Sequence, residues 1–316
     1  MYILLFSLVI VLIAVVILKS RRLPGFFYER VYSFAVVDEP YIIPSDYQFS
    51  TNSAYYDIRN PDDQVLSSVL FLPSLLSDVS KRKPLVIWMR GNGAIIYRAE
   101  AIRKLQETND INVLLVNYRG SFTELRGNTS SKNWPTRARI ASDNEVMWKF
   151  VCNHPVIGNF TDYFCYGLSL GTGIVTDFAV RRMQCSNGKK LCGVILDNAF
   201  TSLSSAFVFS AKNSATQYPA IRYVPSFLLA GFCTTLLGTY GESYNNETAW
   251  KLQEMSCIPL LIFSSGLDEI VPPNDGKVIA EIPRRAISTW VFVDDVQHGS
   301  ASDREVFYEE IQKFTK

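Results

Sequence analysis

Histidine is almost missing from this chain, with two among 316 residues. Six cysteines are present but no C-x-x-C pair, so neither a zinc site nor a dithiol redox motif has its usual spacing. Cys185 and Cys192 read equally as a bridge in an oxidising compartment or as separate thiols. Neither sign of charge is in excess: 31 Lys and Arg face 30 Asp and Glu, for a net charge of +1. Nucleic-acid binding draws on clustered Lys and Arg that neutralise phosphates, and no extended basic run occurs. The strongest cluster, Lys81-Arg82-Lys83, reads as a solvated loop before a strand. Nucleic acid is therefore not an expected partner. Internal repeats and low-complexity tracts are lacking too, and the length suits one large α/β core.

The stretch that carries most information is Gly167-Leu168-Ser169-Leu170-Gly171. Strand-forming residues 163–166 lead into it and a helix-permitting run, 174–183, leads out. A serine on so sharp a strand-to-helix turn needs glycine on both sides, because a side chain there would strike neighbouring backbone. An ordinary tight turn uses the same residue types. The nucleophile reading gains weight from two residues further along the chain, an aspartate at Asp268 and a histidine at His298, in one of the known chain orders of Ser, acid and His.

A serine hydroxyl is a weak nucleophile near neutral pH and needs an adjacent base, usually imidazole. His154 precedes the serine in Cys152-Asn153-His154-Pro155, where the proline ends a helix, and it reads as a helix-end residue. His298 stands in Gln297-His298-Gly299, just past the apolar strand 290–293. It is the candidate base, against the plainer reading of a solvated loop histidine. Residues 259–263 form a short apolar run suited to a strand buried on both faces, and Ser264-Ser265-Gly266-Leu267-Asp268 leaves it. A carboxylate there would hold the imidazole in the required tautomer. Asp268 is the first candidate, with Glu269, Asp294 and Asp295 as competitors.

These motifs resemble a known family. The elbow through Thr172 and Gly173, the later Leu196-Asp197-Asn198-Ala199-Phe200-Thr201-Ser202, the acid loop Gly266-Leu267-Asp268-Glu269-Ile270-Val271-Pro272-Pro273 and Gln297-His298-Gly299 are similar to the membrane-anchored branch of the α/β-hydrolases. That branch contains lysophospholipid and monoacylglycerol lipases and acyl-protein thioesterases. The resemblance covers roughly residues 50 to 316 and implies Ser169 as nucleophile, Asp268 as acid and His298 as base. No cofactor and no metal is expected. Three positions depart from the family pattern. Arg90-Gly91-Asn92-Gly93 stands where relatives place His-Gly-Asn, Asn117-Tyr118-Arg119-Gly120 replaces Asp-Tyr-Arg-Gly, and Leu168 replaces a histidine. An oxyanion hole is built from backbone N–H groups, so Leu170 and Asn92 remain the expected donors; Arg90 bears on the loop's orientation, and Arg119 reads as structural.

Residues 2–18 are apolar apart from Ser7, and Lys19, Ser20, Arg21 and Arg22 close the run. At about 1.5 Å per residue such a helix lies near the lower limit for crossing a bilayer. No basic residues precede the run and no small-x-small site comes after it, which favours an uncleaved anchor over a signal peptide. The basic closure puts the catalytic domain on the cytoplasmic side, whereas sequons at Asn128, Asn159 and Asn246 would suit the opposite side. The expected organisation is an anchor at 1–22, a connector at 23–53 and a catalytic domain at 54–316.

A hairpin over 54–58 and 65–72 opens that domain. Parallel strands near 85–89, 113–117, 163–166, 193–196, 259–263 and 289–293 come next, alternating with helices such as 98–107, 138–151 and 170–183. This is the pattern of a mostly parallel sheet covered on both faces. Residues 199–256 are too many for a plain crossover and rich in aromatics. They read as a helical cap over the serine or as further core helices. The expectation is a membrane-anchored serine hydrolase acting on acyl-lipid or acyl-protein esters or thioesters. A silent scaffold of the same fold, or a serine peptidase, is the alternative.

Overall fold

The computed structural model describes residues 54–59, 65–72, 83–91, 99–117, 136–160, 162–183, 190–213, 223–239, 241 and 243–316. The apolar run at 2–18, the connector, Asn92, Arg119, Asn128 and Cys185 lie outside the described residues. Among the described residues no helix is long and apolar enough to cross a membrane.

One sheet of eight strands forms the centre: β1 (Ala54–Arg59), β2 (Val65–Leu72), β3 (Leu85–Met89), β4 (Asn112–Asn117), β5 (Asp162–Leu168), β6 (Lys190–Asp197), β7 (Leu260–Ser265) and β8 (Ser288–Val293). Their spatial order is β1-β2-β4-β3-β5-β6-β7-β8. β1 and β2 form the expected antiparallel hairpin, β2 also meets β4 antiparallel, and every later neighbour is parallel. β7 begins one residue later than the apolar run, because Pro259 has no N–H for the ladder. Its carbonyl still accepts from Val194 N at 3.0 Å.

The strand residues divide by parity, as side chains of period two must. Leu85, Ile87 and Met89 of β3 join Tyr163, Cys165, Val194, Leu196, Leu260 and Ile262 in one buried cluster. Val86 and Trp88 join Phe164, Tyr166, Ile195, Leu261 and Phe263 in the other. The first face is covered by α2 (Arg137–Asn153) and α3 (Leu170–Met183), through Met147, Trp148, Ile174, Val175 and Phe178. The second is covered by α1 (Ala99–Asn109), through Ile102 and Leu105. The C-terminal helix at Glu305–Thr315 packs beside α1 through Phe307, Tyr308 and Ile311. Truncating one of these core side chains to alanine costs roughly 2–5 kcal/mol.

α4 (Leu203–Asn213) and α5 (Ser226–Thr239) pack on one another, and α6 (Asn246–Trp250) packs on α3. α7 (Asp275–Ala280) comes after β7, which makes the C-terminal helix α8. Both ends of the segment 199–256 belong to the main core, through Ala199, Phe200, Leu203, Trp250 and Met255. In its middle, α4 and α5 reach the core through Ala206 and Leu237 and leave much of α5 exposed. α5 carries no charged residue, yet Phe227, Leu228 and Phe232 on it are exposed.

Candidate active site

Ser169 sits between the last residue of β5 and the first of α3, with φ at 52°. This left-handed backbone costs an L-residue about 1–2 kcal/mol and persists because the surroundings hold it. Ser169 N–H donates to Asp197 O at 2.9 Å, and Ser169 O accepts from Thr172 N at 2.9 Å and Thr172 Oγ1 at 2.7 Å. The glycines are there for lack of room. A Cβ on Gly167 would run into Gly171 O, and one on Gly171 into the carbonyls of Met89 and Arg90. Gly91 is as tightly placed, since its Cβ would lie 2.7 Å from Leu168 O and 3.2 Å from Ser169 Cβ. The loop that leaves β3 therefore starts against the serine. Cys165, two positions before the elbow on the strand, is fully buried and its thiol is pushed up by that burial, so it offers no competing nucleophile.

Asp268 and His298 meet. His298 Nδ1 lies 2.7 Å from Asp268 Oδ2, and an ionised carboxylate only accepts, so Nδ1 carries the proton and Nε2 is left as the basic nitrogen. The Asp268 side chain is fully covered and that of His298 is 19% exposed. Asp268 Oδ1 accepts the N–H groups of Ile270 and Val271, each at 2.8 Å, which fixes the carboxylate on its own turn. The competing acids are elsewhere: Glu269 and Asp294 are exposed, and Asp295 pairs with Arg304 at the surface. His154 caps the C-terminus of α2 and its Nδ1 accepts from Val156 N and Ile157 N, which is the helix-end role expected of it.

The three residues stand at the same end of the sheet, after β5, β7 and β8. No hydrogen bond joins Ser169 Oγ to His298 among the described residues; such bonds are often long until substrate is bound. Instead the serine and the pair are tied through β6. Asp197 O takes the serine N–H, while the neighbouring Asn198 bonds Asp268 Oδ2 at 2.8 Å and Gly299 N at 2.9 Å.

No family model matches the chain, and comparison with curated proteins finds no match. Solved structures do share its fold. An α/β hydrolase from Vibrio vulnificus matches with a TM-score of 0.63 at 18% identity, over 94% of this chain and 95% of its own. An esterase of Pyrococcus furiosus gives 0.57 at 17%, over 86% and 92%. An esterase of the archaeon Pyrobaculum calidifontis gives 0.53 at 14%, over 83% and 82%. The chain has the α/β-hydrolase fold. At these identities the likeness concerns the fold alone, so the chemistry has to come from the residues.

Within this α/β-hydrolase fold the N–H of Leu170 is the first of α3 and, as at any helix start, has no intrahelical acceptor. Asn92, the other expected donor, lies outside the described residues. Two residues to which the sequence assigned no role at the site lock the elbow. Thr172, fully buried, holds the serine carbonyl, and Asn246 Nδ2 donates to Thr172 Oγ1 at 3.2 Å and to Phe200 O at 3.0 Å. Asn246 thus spends both amide hydrogens while 1% exposed, so a glycan at this sequon is incompatible with the fold. α4 is joined to the acid loop by Asn213 Nδ2 donating to Glu269 O at 3.1 Å. At its other end Asp275 Oδ2 accepts from Thr201 N, Thr201 Oγ1 and Ser205 Oγ. Burial pushes the Asp275 carboxyl above its ordinary value, partly offset by those bonds.

Proposed function

We propose that this protein is a serine hydrolase that cleaves acyl esters through an acyl-enzyme on Ser169. The observation that carries the reading is the combination of a serine held at φ 52° in a glycine-flanked elbow with a covered Asp268 bonded to His298 at the same end of the sheet. Ser169 Oγ attacks the ester carbonyl while His298 Nε2 takes its proton, and Asp268 steadies the imidazolium. The tetrahedral oxyanion is received by the N–H of Leu170 at the positive end of α3 and by that of Asn92. Collapse breaks the bond to the leaving alcohol, to which His298 returns the proton. Water, deprotonated by the same imidazole, then releases the acid and restores Ser169.

The substrates this reading favours are acyl-lipid or acyl-protein esters and thioesters. Its supports are the apolar, uncharged α5 with exposed Phe227 and Phe232, held beside the acid loop through α4, and the apolar run at 2–18. The α4–α5 pair serves as the cap, and residues 2–18 as a single-pass anchor that leaves the catalytic domain on the cytoplasmic side. The buried Asn246 removes one of the sequons that favoured the opposite side. Turnover of p-nitrophenyl butyrate by the wild type, abolished in Ser169→Ala, is the test. Turnover that survives the substitution ends the proposal, and a folded wild type inert to every acyl ester would favour a binding protein of the same fold.

A further inference from the structure

We propose that Asn198 is a positioning residue that holds the acid and the base of this site in register, an inference that rests on the roles proposed for Ser169, Asp268 and His298. Asn198 is 2% exposed, lies at the exit of β6 and has φ at 54°. Among L-residues with a side chain, asparagine is one of the few that adopts this left-handed backbone readily. Its own N–H donates to Phe263 O at 2.9 Å, which pins the turn to β7.

From that fixed backbone the side chain works at both ends. Nδ2 donates to Asp268 Oδ2 at 2.8 Å, the same oxygen that His298 Nδ1 meets at 2.7 Å. Oδ1 accepts from Gly299 N at 2.9 Å and from Ser265 Oγ at 3.3 Å. One amide thus grips the carboxylate on one loop and the residue after the base on another. The carbonyl just before it, Asp197 O, holds the Ser169 N–H. No other side-chain type does this job in the same space. An ionised aspartate has no hydrogen to give Asp268, serine is too short, and leucine would leave the Gly299 N–H without an acceptor and Oδ2 with the imidazole alone. The Ile270 and Val271 N–H groups hold Oδ1, and the amide, sharing Oδ2 with the imidazole, fixes the other end of the carboxylate against His298. A base displaced by about 1 Å loses on the order of 10²-fold in rate.

The test uses the full-length protein and p-nitrophenyl butyrate. Asn198→Gly keeps the left-handed backbone and deletes only the amide; kcat should fall about 10²-fold while KM stays close to the wild type. A second readout is the Nδ1 proton of His298 in protein labelled with ¹⁵N at histidine. Two histidines exist, and the Nδ1 of His154 accepts bonds from Val156 N and Ile157 N, so the downfield signal belongs to His298. It should shift or vanish in Asn198→Gly. Asn198→Asp should work only while the introduced carboxyl and Asp268 share a proton, giving kcat an alkaline limb that the wild type lacks. Unchanged kcat and an unchanged Nδ1 signal in folded Asn198→Gly would overturn the proposal. If that variant does not fold, an Asn198→Asp profile without the alkaline limb overturns it. Retained turnover in Ser169→Ala would overturn the parent reading instead; with Ser169→Ala inactive, a neutral Asn198→Gly removes this inference alone.

Discussion

Asp268→Asn changes one atom of the acid, and the structure predicts a large effect on both stability and rate. Every polar neighbour of this carboxylate is a donor: Ile270 N and Val271 N on Oδ1, Asn198 Nδ2 and His298 Nδ1 on Oδ2. An amide brings an NH₂ group into a site that offers hydrogens only. With NH₂ at the Oδ1 position, it faces the Ile270 and Val271 N–H groups. With NH₂ at the Oδ2 position, it faces Asn198 and the imidazole. The imidazole escapes by moving its proton to Nε2, which removes the base. Asn198 escapes by turning over, which strips both Gly299 N and Ser265 Oγ of their acceptor. Each orphaned buried donor costs about 1–3 kcal/mol, so two cost about 2–6 kcal/mol out of a total stability on the order of 5–15 kcal/mol. Turnover should fall by roughly 10³ to 10⁴, the cost of a wrong tautomer. Urea unfolding and p-nitrophenyl butyrate kinetics on the same preparations measure both. Wild-type stability would refute the all-donor account of the site, and a kcat within tenfold of wild type would remove Asp268 from the mechanism.

Three further outcomes are expected. Gly171→Ala should destabilise the protein by about 1–3 kcal/mol and lower kcat, although alanine is the better helix former, because the new methyl meets the fixed carbonyls of Met89 and Arg90; a rise in Tm would contradict the crowding described. Asp275 is raised by burial from an ordinary 3.8, so its contribution to stability is full below about pH 4 and is lost as pH rises through the folded value. The unfolding free energy of Asp275→Asn relative to wild type should therefore improve from pH 4 upward, and a gap that does not move with pH would refute this. Removing residues 1–22 should leave p-nitrophenyl butyrate hydrolysis nearly unchanged but lower activity on long-chain ester held in vesicles, and equal loss on both would assign the segment to the fold instead of the membrane.

The strands that could be read from sequence are those buried on both faces, where an unbroken apolar run has no other use: residues 85–89 form β3 with both expected ends. β5 and β6 start earlier than their apolar cores, at Asp162 and Lys190, because a backbone ladder can begin at a polar residue that a hydrophobic pattern discards. The elbow and the helix after it were legible because crowding leaves glycine no substitute. Among the acids, proximity in sequence left four candidates. Burial and the turn at Ile270 and Val271 single out Asp268 for the bond to His298, information that exists only once β7 and β8 are neighbours. Asn198 stands in one of the family-like motifs without a legible role, since its role arises from a left-handed backbone that aims one amide between two loops distant in sequence. α5 was visible only as composition, because its apolar residues follow no helical face.

The central claim is that Ser169 is the nucleophile, and covalent trapping addresses it most directly. Full-length protein treated with a fluorophosphonate and digested should carry one phosphonyl adduct on the peptide containing Ser169, the adduct should be absent from Ser169→Ala, and His298→Ala should form it far more slowly. An adduct on another residue, or no adduct on a folded protein that hydrolyses p-nitrophenyl butyrate, would contradict the account.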